Sequence, residues 1–177
     1  MPVTTIHTFT LFTLMVFGMH AVAGPEQFVA GDLIEGYGPI ARVDAPRPPA
    51  GAAMKVMFNV THGADEGQYN RSFDNGASYM NLQYWAGVPA DKIHVASIVS
   101  GPAHRDILND QGFGSTNPSA PLVKALLAKG AKFYLCGQSA AYRDVSADDG
   151  IKGVEIAMSG STTATLLHQQ GYALSPF

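Results

Sequence analysis

Cysteine is the scarcest chemistry in this chain: one thiol, Cys136, among 177 residues. A single cysteine excludes an intrachain disulfide framework, a CxxC redox pair and a cysteine-rich zinc site. Charge is also sparse, at 14%, and carries no basic excess: 11 Lys and Arg against 14 Asp and Glu give a net −3 and a pI near 6.0. No global attraction to nucleic acid or to an anionic membrane is expected of such a chain. Internal repeats, low-complexity tracts and long like-charge blocks are missing as well. What remains is 46% hydrophobic content in 18.7 kDa, which suits one globular domain and is too apolar for a disordered chain.

Residues 1–23 hold no Asp, Glu, Lys or Arg, and the run 9–17 (FTLFTLMVF) is apolar but too short to span a bilayer. Ala21-Val22-Ala23 reads as an A-x-A cleavage signature, so 1–23 is expected to be a signal peptide cut before Gly24. A periplasmic or secreted protein follows, with no stable membrane span after cleavage. Residues 24–53 are rich in Gly, Pro and Ala without a sustained period and read as an extended N-terminal arm or linker at the edge of the domain, which itself spans 54–177.

Pattern begins at Met54, where KVMFNVT is a short β-favouring run closed by His62-Gly63. Tyr69, Phe73, Ala77, Met80 and Tyr84 recur at steps of three or four up to Gly87, as an amphipathic helix requires. Residues 92–99 (KIHVASIV) form a second strand, 104–109 a short helix and 110–118 a loop. Leu122, Val123, Leu126 and Leu127 mark another helix stopped by Gly130, ahead of the strand 132–136 (KFYLC). A fourth strand at 154–158, a helix at 162–170 and a closing strand at 172–174 complete the alternation. Strands alternating with helices predict an α/β fold with a mostly parallel sheet covered on both faces.

Ligands of such sheets bind outside the carboxyl ends of the strands, where the loops 61–67, 100–104 and 136–143 would meet. In the last of these, Cys136-Gly137-Gln138-Ser139 sets a thiol between a strand and a helix start, where free backbone N–H groups favour the thiolate. The same position suits a small buried hydrophobe finishing an apolar strand, and both readings stay open. A phosphatase-like Cys-x5-Arg loop fails by one residue, because Arg143 follows Tyr142 in the required place. His62 and His104 fall in the carboxyl-end loops and are the histidines available to a thiol, whereas His94 lies within a strand and His168 on the last helix. Asp65 and Glu66 would repel phosphate, and no Walker-type lysine is present, so no nucleotide or other cofactor is expected. A metal site from His62, Asp65 and Glu66 lacks ligand spacing and reads better as a solvated loop. The sequons at Asn59 and Asn70 are discounted, the first because it falls in a strand read as buried.

The strings KIHVA, STNPSAPLVKALLAKGAKFYLCGQSAAYR and LLHQQGYALSPF resemble the DsrE/DsrF-like family, in its exported single-domain branch, over about 54–177. LCGQS and GYALSPF are the most specific parts. The resemblance implies a three-layer α/β/α fold on a mostly parallel, five-stranded sheet, assembled as a homotrimer or homohexamer. It also implies that Cys136, the only matching position, carries sulfur as a persulfide, with a small sulfur-containing molecule or a sulfur-carrier protein as its partner. Gly137, Gln138, Ser139, Arg143, His62 and His104 are the residues expected to help bind the substrate. The alternative is a non-catalytic ligand-binding or assembly module with a buried, inert cysteine.

Overall fold

The computed structural model describes residues 24–176, so the expected signal peptide at 1–23 lies outside the described residues. Within them, β3 (Met54–Val60), β4 (Ile93–Val99), β5 (Lys132–Cys136), β6 (Val154–Ala157) and β7 (Ala173–Leu174) form one sheet in the order β6-β5-β4-β3-β7. Every pairing in it is parallel. The chain steps from β3 through β4 and β5 to β6 in one direction, then returns across the sheet to β7 beside β3. Right-handed crossovers therefore send the helices of the forward steps to one face and the helix of the return step to the other.

The two hydrophobic clusters follow this division. Val56, Phe58, Val60, Val95, Val99, Phe133 and Leu135 pack with Phe73, Ala77 and Met80 of α1 (Arg71–Trp85), with Leu122, Val123 and Leu126 of α3 (Ala120–Ala128) and with Ala140 of α4 (Gly137–Tyr142). The alternate residues Met57, Ala96 and Ile98 face Leu167 and Ala164 of α5 (Gly160–Gln169), together with Tyr172. This is a three-layer α/β/α sandwich, in which strand alternation assigns each side chain to one layer.

Local chemistry sets the element ends. Asn70 caps α1 by accepting the Ser72 N–H at 2.9 Å. Ser159 caps α5 by accepting from Thr162 at 3.0 Å, which starts that helix at Gly160, before the residue 162 suggested by periodicity. The segment read as a short helix at 104–109 is a 3-10 helix over Gly101–Ile107, and the loop after it contains one helical turn, α2 (Asp110–Phe113), capped by Asn109.

Residues 24–53 are partly ordered by the domain. Antiparallel β1 (Phe28–Val29) and β2 (Ile40–Ala41) pair with each other, and Leu33, Ile34 and Ile40 are buried. Asn81 of α1 holds the intervening chain: its Oδ1 accepts the N–H groups of Leu33 (3.1 Å) and Ile34 (2.7 Å), and its Nδ2 donates to the carbonyls of Tyr37 and Gly38, both at 2.9 Å. Gly38, at φ +59, lies so close to the Ala77–Ser78 backbone that a side chain there would collide with it.

Candidate functional site

Cys136 ends β5 and is the N-cap of α4. Its neighbour β6 leads into α5 on the opposite face, so β5 and β6 send their chains to opposite sides of the sheet. This is the topological switch point, the crevice where open α/β sheets bind ligands, and Cys136 stands in it. The start of α4 approaches β6 so closely that a β-carbon on Gly137 would press into the Ala157 carbonyl oxygen. Glycine is required there for contact. Gln138 secures the same junction by donating from Nε2 to the Met158 carbonyl at 3.2 Å.

The sulfur is largely buried, with the residue retaining 9% of its surface. Burial pushes the thiol pKa up, but the backbone N–H groups of Ser139, Gly160 and Gln138 and the Ser139 hydroxyl push it down, and the net position lies below the ordinary thiol value. Two of these donors belong to the first turn of α4 and the third to the first residue of α5. Two helix starts thus converge on one sulfur, and their dipoles favour its anionic form.

The three loops are tied to one another by hydrogen bonds. Ser139 Oγ accepts the Gly101 N–H at 3.3 Å, joining the α4 turn to the 3-10 segment. Gly101 adopts φ +57 and lies close enough to the Thr61 carbonyl that a β-carbon would stand 3.2 Å from that oxygen. Asp106, buried in the same segment, accepts from Ala64 N (2.9 Å) and Asn70 Nδ2 (2.6 Å), which fixes the β3–α1 loop. Asn117 in turn donates to the Leu108 carbonyl at 2.7 Å. Buried polar groups satisfied in this way hold the carboxyl edge of the sheet rigid.

Of the residues singled out from sequence, Cys136, Gly137, Gln138 and Ser139 come together at the switch point. His104 is buried behind it, with Nδ1 3.0 Å from the Gly101 carbonyl. Burial holds its ring below the ordinary imidazole value, Arg143 and Arg105 add to that effect, and the backbone bonds to Gly101 and Pro102 oppose it. Arg143 is the exposed C-cap of α4, with its guanidinium 5.7 Å from the Tyr142 ring. His62 is exposed, 3.1 Å from Thr61 Oγ1, and lines a groove of about 470 Å3 with Tyr69, Arg71 and Asp74. A second groove, of about 700 Å3, runs between Asp65, Arg105 and Phe113, and neither has a wall from 136–143. Among the described residues no group of three His, Cys, Asp or Glu side chains is placed to hold a metal ion, and no helix is long and apolar enough to cross a membrane.

Sequence reasoning missed Gly160. Its N–H reaches the sulfur only because β6 lies beside β5, and the one local signal was a capping serine directly after an apolar strand. It also missed Asp106 and Asn70, which organise the loops without touching the thiol.

An all-parallel five-stranded sheet with helices on both faces is the three-layer α/β/α fold of DsrE-like proteins. The model of the DsrE/DsrF-like family matches residues 54–176, and the chain belongs to that family, whose broad role is sulfur relay. Two solved structures share the fold at 17% identity. One is the protein of unknown function MTH1491 from Methanobacterium thermoautotrophicum, at TM-score 0.55 over 69% of this chain and 97% of that one. The other is the ychN protein from E. coli, at TM-score 0.50 over 69% of this chain and all of that one. Among curated proteins nothing matches the chain.

Proposed function

We propose that this protein binds or relays a small sulfur species, with Cys136 as the acceptor nucleophile. The observation that carries the reading is the convergence of the Gln138, Ser139 and Gly160 N–H groups on one sulfur at the switch point, strong enough to outweigh its burial. A thiolate is the form that attacks sulfur. With a sulfane donor such as thiosulfate, the Cys136 sulfur forms a bond to the outer sulfur, the donor S–S bond breaks, and sulfite leaves with the electron pair. The persulfide anion takes the place of the thiolate among the same N–H groups. An acceptor thiolate then attacks the outer sulfur and restores Cys136. One cysteine suffices, because the acceptor belongs to another molecule.

Gln138, Ser139 and Gly160 supply the donors, Gly137 lets the turn approach β6, and Arg143 stands on the next turn with a charge suited to an anionic donor. His62 and His104 support the surrounding loops. The proposal includes export to the periplasm or medium, supported by the apolar run 9–17 and Ala21-Val22-Ala23, and assembly as a homotrimer or homohexamer. Amino-terminal sequencing of exported protein should begin at Gly24.

The deciding experiment is mass spectrometry of intact protein after thiosulfate or polysulfide. A gain of about 32 Da, lost in Cys136→Ala, is expected for one added sulfur atom. Its absence with every donor overturns the relay. The low exposure of Cys136 favours a second reading, an inert thiol in a ligand-binding or assembly module. In that case a maleimide labels only unfolded protein.

A further inference from the structure

In an all-parallel sheet the amino ends of all strands lie along one edge, and here that edge gathers the lysines. Lys55 is the second residue of β3, Lys92 directly precedes β4, Lys132 opens β5, and Lys129 and Lys152 stand just before β5 and β6. Of the six lysines in the chain only Lys124 lies elsewhere. Asp91 and Glu155 are the carboxylates of this edge, so it carries a positive excess although the whole chain is at net −3.

Among the described residues none of these lysines forms an ion pair. The one ion pair among the described residues is Arg42 with Asp32, far along the chain. Lys55 donates to the Gln170 carbonyl at 3.0 Å and stands 5.9 Å from the Tyr172 ring, closing the end of α5. The other four ammonium groups have neither a hydrogen-bond acceptor nor a carboxylate within ion-pair distance among the described residues. Lys129 follows α3 and complements its dipole, a structural role that Lys92, Lys132 and Lys152 do not share.

His94 sits among them. It is the cross-strand partner of Lys55, and Lys132 pairs with Ala96 one pleat further on the same face. Burial lowers its pKa first, then Lys55, Lys132 and Lys92, with Asp91 opposing. From neighbouring elements Tyr134 of β5, Glu155 of β6 and Tyr172 ahead of β7 complete its charged and titratable surroundings.

We propose that this lysine edge is a docking surface for an acidic segment of a partner protein. Charge complementarity selects the occupant, since unpaired ammonium groups on an otherwise acidic molecule attract a local cluster of carboxylates. A membrane surface is disfavoured because Tyr172, beside Lys55, is buried, and Trp85 at the end of α1 is covered by the Arg47 guanidinium at 4.6 Å, so neither ring is free to enter lipid. The edge is opposite to the one that carries Cys136, so docking leaves the thiol open and the inference stands apart from the thiol chemistry.

The test uses a fluorescein-labelled octaglutamate peptide and the full chain, read by anisotropy, with the His94 ring followed by NMR. Saturable binding that weakens with salt, a rise in the His94 pKa on peptide addition and a loss of about tenfold in affinity in Lys92→Gln/Lys132→Gln/Lys152→Gln are expected. Lys124→Gln should bind as the parent does. An equal loss in Lys124→Gln, or an unmoved His94, overturns the proposal. So does preference for phosphatidylserine vesicles over the peptide, or salt-sensitive self-association that involves these lysines.

Discussion

Gly160, the first residue of α5, faces Cys136 across the switch point: a β-carbon on it would stand 3.7 Å from Cys136 Cβ and 3.9 Å from the sulfur. Those are ordinary contact distances, and the tightest neighbour, Ile98 Cγ2 at 3.3 Å, is a methyl group that can yield slightly. Gly160→Ala should therefore fold, yet place a methyl beside the thiol. The expected outcome is slower alkylation of Cys136 at fixed pH with a melting temperature close to the parent. Gly137→Ala should behave differently. Its methyl meets the Ala157 carbonyl, which belongs to the backbone of β6, so a cost of about 1–3 kcal/mol is expected from overpacking. A Gly160→Ala protein that alkylates at the parental rate would show that the sulfur is approached from elsewhere.

Ser139 acts on the thiol twice, through its N–H and its hydroxyl, while its oxygen accepts from Gly101. That oxygen accepts a hydrogen bond from the Gly101 N–H, and the hydroxyl's own proton is left to donate to the sulfur. Ser139→Ala removes one stabilising bond from the thiolate and keeps the three backbone donors. The midpoint of the iodoacetamide rate against pH should move upward, toward the ordinary thiol value, with the rate at high pH little changed. An unmoved midpoint would mean that the backbone donors alone set the acidity.

How much of this was legible beforehand differs by element. The alternation of apolar residues in KVMFNVT and KIHVASIV, and helix faces such as Phe73–Ala77–Met80, report burial directly, and the α/β layering followed from them. Cys136 to Ser139 were visible as a strand end running into a helix start. Gly160 was not, because strand order is a property of the whole sheet and two neighbouring strands leave no common mark on the sequence. Residues 28–41 showed no period for a related reason. Their course is set by α1, through Asn81 and the close approach of Gly38, and not by a pattern of their own.

Asn81 is fully buried and bonds two N–H groups and three carbonyls of the arm. Asn81→Leu leaves those backbone groups buried without partners, a loss of about 3 kcal/mol on the scale of unsatisfied buried polar groups. Release of the arm should accompany it, seen as trypsin cleavage after Arg42 under conditions where the parent resists, while the Arg47–Pro48 bond is not a tryptic site. The domain from Met54 onward should survive digestion. Unchanged cleavage would show that Leu33, Ile34 and Ile40 hold the arm by burial alone.

The buried imidazole of His104 gives stability a pH dependence of fixed sign. Its pKa in the folded protein lies below the ordinary value of 6.5, so on acidification the unfolded chain takes up the proton first. The contribution is fully present above about 6.5 and is lost as pH falls toward and through the folded value. Urea unfolding should therefore show stability declining from pH 6.5 to pH 5. His94 is shifted in the same direction and contributes with the same sign. His104→Asn keeps a donor for the Gly101 carbonyl but does not titrate, so its stability, lower overall because volume is lost, should fall less steeply over this interval. A slope equal to that of the parent would place the acid sensitivity on His94 or on the carboxylates, with His104 serving only to hold the Gly101 turn against Ser139.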